Sequence, residues 1–393
     1  MTSDEIIALA DRYLCPTYAR APLALVRGAG TRVWDADGKA YLDFFSSTVV
    51  ANLGHQHPAV VRAIEAQAHK ILHVSNLHYC EPQAQLAEKL VQGSFADRVF
   101  LCNSGAEANE AAIKLARKYG HAQGDGRYEV ITAFNSFHGR TLATIAATGQ
   151  EKVRVGFEPV QQGFRYAAYD NVDAIEQAIT ARTIAVLVEP VQGEGGIVAP
   201  APDYFRALRD LCDRHALLLM FDEIQTGMGR TGTLFAYEQL GVAPDVMTLA
   251  KGLGAGVPIG AMLAAESVAN VLDKGSHGST FGGNALTCAV GVAVMEVLEN
   301  EGVLANCVAM GERLMAGLTA LAGKHRMIKA VRGRGLLIGV ELTQPGAPLV
   351  ERCQAAGLII NCTANTVLRL TPPLTVSAAE VDEALAVLDK VLT

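Results

Sequence analysis

Six short runs along this chain are apolar almost throughout: "RVFLCN" (98 to 103), "YEVITAF" (128 to 134), "IAVLVEP" (184 to 190), "ALLLMFDE" (216 to 223), "DVMTLA" (245 to 250) and "IGAMLAA" (259 to 265). A strand with one wet face alternates apolar and polar residues, so a run without alternation must be covered on both sides. Helical patterns lie between some of these runs. "SGAEANEAAIKLARKYG" carries Ala112, Leu115 and Tyr119 on one stripe, and "DYFRALRDLCDRH" behaves alike. Earlier, Val60, Val61, Ile64, Ala68 and Ile71 recur at helical spacing. Strands interleaved with helices predict an α/β fold, a mostly parallel central sheet with helices on both faces.

The chain has 393 residues, of which 50% are hydrophobic, enough for a large core and two domains. Near residue 295 the character changes. Helical segments at 302 to 323 and 347 to 356 bracket one strand, "LLIGVEL"; "GLIINCT" and "TVLRLTPP" follow, and Ser377 and Glu380 form a capping box that opens a last helix. The expected organisation is a large domain over 46–295 and a smaller α+β domain over 296–393, which the N-terminal segment 1–45 joins.

Net charge is −7, with both signs scattered and no basic block, which argues against nucleic acid or an anionic membrane as partner. The start, "MTSDEIIALADR", lacks the order of a signal peptide, and no apolar stretch reaches the roughly eighteen residues of a membrane span. A soluble, cytoplasmic protein is expected. The eight cysteines contain no CxxC pair and read as reduced core residues. His69 and His73 have a spacing that could put two metal ligands on one helix face, but no acid accompanies them, and no metal is expected.

Ligands of open α/β sheets sit beyond the carboxyl ends of the strands, so the polar residues that follow the apolar runs are the candidates. "NSGAE" puts Ser104 and Gly105 where a strand meets a helix, which suits either a phosphate on the first helical amides or an ordinary N-cap. Asp222 ends the most apolar run; it needs a cationic or strongly donating partner, or else loop amides. Lys251, in "LAKGLGAG", is either a solvated loop lysine or a desolvated amine of depressed pKa able to condense with a carbonyl. The P-loop order is absent there. Pyridoxal 5′-phosphate meets all three demands at once: phosphate for the helix, ring nitrogen for Asp222, aldehyde for Lys251. Lys251 would then be the proton carrier of the reaction.

"FDEIQTGMGRTG" followed by "PDVMTLAKGLGAGVPIGA" resembles the class III (ornithine-type, fold type I) PLP-dependent aminotransferases. "YLDFFSSTVVANLGHQHP", "SNLHYCEPQAQLAEKL", "LCNSGAEANEAAIKLAR", "FHGRT", "EPVQGEGG" and "HGSTFGGN" extend the resemblance over almost the whole chain, most of all to the acetylornithine aminotransferase group. The resemblance implies that Gly105 and Ala106 bind the cofactor phosphate through their amides, although many relatives carry threonine where Ala106 stands. Phe137 would stack on the pyridine ring and Gln225 approach the ring hydroxyl. Thr280 would reach the cofactor phosphate of the neighbouring subunit, and Ser279 beside it would bind substrate, making the enzyme a homodimer. Arg140 would bind the α-carboxylate of the ω-amino substrate and Arg369 that of glutamate or 2-oxoglutarate, with Glu194 pairing to Arg369 and withdrawing when glutamate arrives. Arg332 and Arg334 would have a structural role, and Ser46 to Val49 with His78 would lie at the entrance. The implied reaction moves the δ-amino group of N-acetylornithine to 2-oxoglutarate. N-Succinylornithine, N-succinyldiaminopimelate, ornithine and 4-aminobutyrate are alternative donors; an aminomutase of the glutamate-1-semialdehyde kind and a non-catalytic scaffold are the other readings.

Overall fold

The computed structural model describes residues 1–393. Its centre is a seven-stranded sheet in the order Arg98–Cys102, Gly260–Ala264, Val246–Leu249, Leu218–Asp222, Thr183–Val188, Glu129–Ala133, Phe164–Ala167. Gly260–Ala264 runs antiparallel to both neighbours; the pairs from Val246–Leu249 to Phe164–Ala167 are all parallel.

Two apolar clusters explain why the strands do not alternate. Val130, Ala185, Leu187, Leu218 and Met220 face Ala111, Ala112, Leu115 and Ala116 of the helix Gly105–Ala122. The intervening Ile131, Val186, Val188, Leu219 and Phe221 face Phe205, Leu208, Leu211 and Cys212 of the helix Tyr204–Arg214. Successive side chains therefore enter opposite cores, the period of two that a doubly covered strand requires.

Several local expectations need correction. The first helix over this region runs Pro58–Ala68 and stops there, leaving Ile71 beyond its end and exposed; Val61, inside the helix, is exposed as well. His69 is its C-cap and His73 lies beyond it, which removes the shared helix face. Phe164–Ala167 is an edge strand that went unread because it is only partly buried. Helices Val303–Lys324 and Ala347–Ala355 bracket two strands, Ile328–Arg334 and Leu337–Leu342, paired as a hairpin. The first of these is half-exposed and polar, without an apolar run to reveal it.

"GLIINCT" divides between two sheets. Leu358–Ile359 pairs in parallel with Ala40–Asp43, closing a four-stranded sheet with Leu25–Ala29 and Arg32–Asp35. Asn361–Thr363 pairs with Val367–Leu370 at the edge of a second four-stranded sheet. Residue 295 falls inside a continuous helix, Ala285–Asn300. The Ser377 and Glu380 capping box is present at the last helix, Ala378–Val391. All eight cysteines are free; Cys15 is exposed, unlike the core position expected of it. No helix is long and apolar enough to cross a membrane.

The loop after Leu218–Asp222 is tied to the C-terminal part of the chain by Arg230, which is 0% exposed. Its Nη1 donates to the carbonyls of Leu336 at 3.0 Å and Pro372 at 2.6 Å, while Nε and Nη2 have no partner. Burial lowers its pKa to about 10. Removing this side chain strands two buried carbonyls and leaves a cavity. Arg230→Ala is expected to lower the thermal midpoint by on the order of 4 °C, corresponding to about 3 kcal/mol. A midpoint within a degree of wild type would contradict the clamp.

Candidate active site

Strands Leu218–Asp222 and Val246–Leu249 are parallel neighbours, and their register sets Asp222 opposite Thr248. Lys251 follows three residues later, so acid and amine leave the sheet at the same end. The helix Gly105–Ala122 starts at that end too, just after Arg98–Cys102. A cavity of about 410 Å³ lies among them, within the range of small-ligand sites. Gly105, Ala106, Phe137, Arg140, Asp222, Gln225 and Lys251 all line it.

Asp222 is 3% exposed. Its Oδ2 accepts from Asn109 Nδ2 and from His138 Nδ1, each at 2.8 Å, and its Oδ1 accepts from the Ile224 amide at 3.1 Å. Both options open from the sequence are thus combined, strong side-chain donors and a loop amide. Asn109 also donates to the His138 carbonyl at 2.8 Å and accepts from Thr248 Oγ1 at 2.8 Å. Sequence reasoning missed Asn109 and His138; the first looks like any small polar residue of a helix, and its partner is 113 positions away.

Lys251 has φ of 44°, a left-handed backbone that strains a residue with a Cβ, and it opens the 3-10 turn Lys251–Leu253. Burial lowers its pKa to about 8; the charge of Arg369 pushes the same way, and Glu194, Asp222 and Glu189 oppose. Glu189, also unread, lines the cavity and is buried. Burial first and Asp222 second hold its carboxyl well above the usual range, and it accepts only two long bonds, 3.3 Å each, from the amides of Phe137 and Gly193.

At the helix start, Ser104 is an N-cap: its Oγ accepts from the Glu107 amide at 3.2 Å. The amides of Gly105 and Ala106, ahead of the first intrahelical bond, find no protein acceptor and border the cavity. A Cβ on Gly105 would stand 2.7 Å from Ile224 Cδ1, so a larger residue there would have to push the Ile224 side chain aside.

Arg140 is exposed, with its guanidinium 5.4 Å from the centre of the Phe137 ring. Arg369 is 2% exposed and pairs with Glu194 at 2.5 Å. Neither of that pair lines the cavity, but Gln225 does and reaches both: it donates to Glu194 Oε1 at 3.3 Å and accepts from Arg369 Nη1 at 3.4 Å. Ser279 accepts from Asn103, another wall residue, at 3.0 Å; Thr280 is exposed and outside the cavity. Arg332 holds the loop behind Glu194, donating to the Gly196 carbonyl at 2.8 Å and that of Ile197 at 3.0 Å. Arg334 donates to Gln239 at 3.2 Å. Ser46 to Val49 form a left-handed turn with φ from 46° to 72°, and Val50 beyond it touches the cavity; His78 is exposed and outside it.

These residues fit pyridoxal phosphate. Two free amides at a helix start suit a phosphate. A buried carboxylate held in place by hydrogen-bond donors suits a protonated ring nitrogen, Phe137 offers an aromatic face, and Lys251 supplies an amine of lowered pKa.

The same architecture occurs in known proteins. Ornithine aminotransferase from Toxoplasma gondii ME49 superposes with a TM-score of 0.96 at 35% identity, covering 100% of this chain and 95% of that one. Acetylornithine aminotransferase from Elizabethkingia anophelis gives 0.90 at 31% identity, with 100% and 99% covered. By sequence, acetylornithine aminotransferase from Caldanaerobacter subterraneus subsp. tengcongensis is 48% identical over 390 residues, 99% of either chain. The corresponding protein of Methanocaldococcus jannaschii is 48% identical over 394 residues, 100% of this chain and 99% of that one. The family model for class-III aminotransferases matches residues 14–392, and so the lysine, the acid and the helix start that converge here belong to a class-III aminotransferase.

Proposed function

We propose that this chain transfers the δ-amino group of N-acetylornithine to 2-oxoglutarate, giving N-acetylglutamate 5-semialdehyde and glutamate, a step of arginine biosynthesis. A class-III aminotransferase is a pyridoxal-phosphate-dependent transaminase, with an amino donor and a 2-oxo acid as substrates. The observation that carries the reading is the single cavity in which Lys251, Asp222, the free amides of the helix start and Arg140 meet, beside the pair Arg369 and Glu194. Relatives that bear the name acetylornithine aminotransferase, 48% identical over nearly full length, support the choice of donor.

Pyridoxal phosphate supplies the electron sink that makes a substrate C–H bond acidic. The amides of Gly105 and Ala106 would hold its phosphate, Phe137 would cover its ring face, and Gln225 would serve the ring hydroxyl. Asp222 would keep a proton on the ring nitrogen, and the bonds from Asn109 and His138 stop that carboxylate from turning away. Lys251 Nζ carries the proton between carbon atoms, a task that needs an amine neutral near physiological pH. Arg140, exposed at the cavity wall, binds the α-carboxylate of the acylated donor. Arg369 binds the α-carboxylate of glutamate or 2-oxoglutarate.

Glu194 resolves the conflict between these two substrates. Burial raises its pKa, but the charge and hydrogen bond of Arg369 outweigh that and hold it below the ordinary value, ionised and paired. While the donor is bound, the pair keeps Arg369 from standing as an uncompensated buried charge; when a second carboxylate arrives, Glu194 gives way. Thr280, exposed with Ser279 beside it, serves the phosphate of a second copy, so the working unit is a homodimer. The same reading assigns the enzyme to the cytoplasm.

Steady-state rates with N-acetylornithine, N-succinylornithine, ornithine, 4-aminobutyrate and N-succinyldiaminopimelate as donors test the assignment. The highest kcat/KM is expected for N-acetylornithine, and a higher value for any other donor contradicts it. Lys251→Ala should lower kcat by about a thousandfold or more, and full activity would sink the mechanism.

The pH dependence of cofactor uptake by the apoprotein tests the lysine itself. Only the neutral amine attacks a carbonyl, so uptake should be slow well below the pKa, rise through an inflection at about 8 and level off above it. An inflection near the ordinary lysine value of 10.5 would show an amine that burial does not perturb.

A further inference from the structure

We propose that Asn361 is a positioning residue for the 2-oxo acid half-reaction: by occupying Nε of Arg369, it leaves the Nη1 and Nη2 edge as the one that meets the substrate carboxylate. This rests on the reading of Arg369 as the binding group for that carboxylate. A guanidinium offers five donors and can grip a carboxylate either across its two Nη atoms or across Nε and one Nη. The two grips present the substrate in different orientations.

Asn361 and Arg369 are direct cross-strand partners of an antiparallel pair, so their side chains leave the sheet on the same face. Arg369 Nε donates to Asn361 Oδ1 at 3.0 Å. Nη1 donates to Glu194 and Gln225, and Nη2 donates to no protein group. When Glu194 withdraws, Nη1 keeps only its long 3.4 Å bond to Gln225, Nη2 is already without a protein partner, and Nε stays engaged. An end-on grip is the only bidentate one left.

Two residues along the same strand face, Thr363 Oγ1 donates to the main-chain carbonyl of Glu194 at 2.6 Å. Arg332 holds the next carbonyls of that loop, those of Gly196 and Ile197. The backbone beside Glu194 is thus fastened from two sides, and its side chain, 27% exposed, is the part free to move. The strand Asn361–Thr363 fixes the arginine through one residue and the base of the glutamate through the other.

The test is to run the two half-reactions separately on holoenzyme, each as a saturation curve, in wild type, Asn361→Ala, Asn361→Leu and Arg369→Ala. The leucine variant fills the space of the asparagine without its acceptor, which guards against loss of folding in the alanine variant. Losing a hydrogen bond to a charged group should raise the half-saturating 2-oxoglutarate concentration by about tenfold in both Asn361 variants. The limiting rate, and the whole curve for N-acetylornithine, should stay within about twofold of wild type, since only the binding of one substrate has lost an interaction. An unmoved 2-oxoglutarate curve in the Asn361 variants, with a large rise in Arg369→Ala, would overturn the role of Asn361 alone. An equal rise for both substrates would show a general structural effect and overturn it also. An unmoved curve in Arg369→Ala would overturn the reading of Arg369, and the inference with it.

Discussion

The carboxylate of Asp222 is placed where an unsatisfied charge is costly, at the end of a strand with no exposed residue, and its position depends on three donors, one from a helix and two from loops. Two of these donors carry a neighbour of chemical interest with them. Asn109 lies one helical turn beyond Gly105 and Ala106, so anchoring it sets the depth of the helix start. His138 stands between Phe137 and the turn to Arg140. Thr248, which orients Asn109, belongs to the strand that delivers Lys251. Satisfying one buried acid therefore places both ends of the cavity, and the loss of any donor would disturb groups it never touches.

The charges around the cavity are arranged by burial rather than by simple pairing. Lys251 is made less basic by its surroundings, while Glu189 is held well above the carboxylate range because it shares a buried region with Asp222. Only Arg369 and Glu194 form a close ion pair, at 2.5 Å, and that pair sits just outside the cavity wall. An ion pair beside the cavity can be exchanged for a substrate carboxylate without leaving a bare charge behind, which an apolar wall could not do. Arg230 shows the contrasting case: its buried guanidinium has no carboxylate partner, and Nη1 alone, through two carbonyls, ties the site loop to the C-terminal part of the chain.

Much of this was legible in the residues. The central strands were readable because cover on both faces removes alternation, and the candidate site followed because ligands gather beyond their carboxyl ends. Phe164–Ala167 and Ile328–Arg334 were not, since both are partly exposed and lack an apolar run. The helix Pro58–Ala68 ended early because periodicity marks a stripe but does not say where the chain turns away from it. "GLIINCT" looked like one strand, yet half of it pairs with residues more than three hundred positions earlier, a partnership that no local pattern records. Asn109, His138 and Glu189 stayed hidden for the same reason, because their importance lies in what they reach across the fold.

The most direct measurement of the central claim is chemical. Treating the holoenzyme with borohydride fixes the cofactor to the amine that carries it, and mass mapping of the peptides locates the attachment. The account predicts the added mass on the peptide containing Lys251 and on no other lysine. Attachment elsewhere, with Lys251 unmodified, would contradict it.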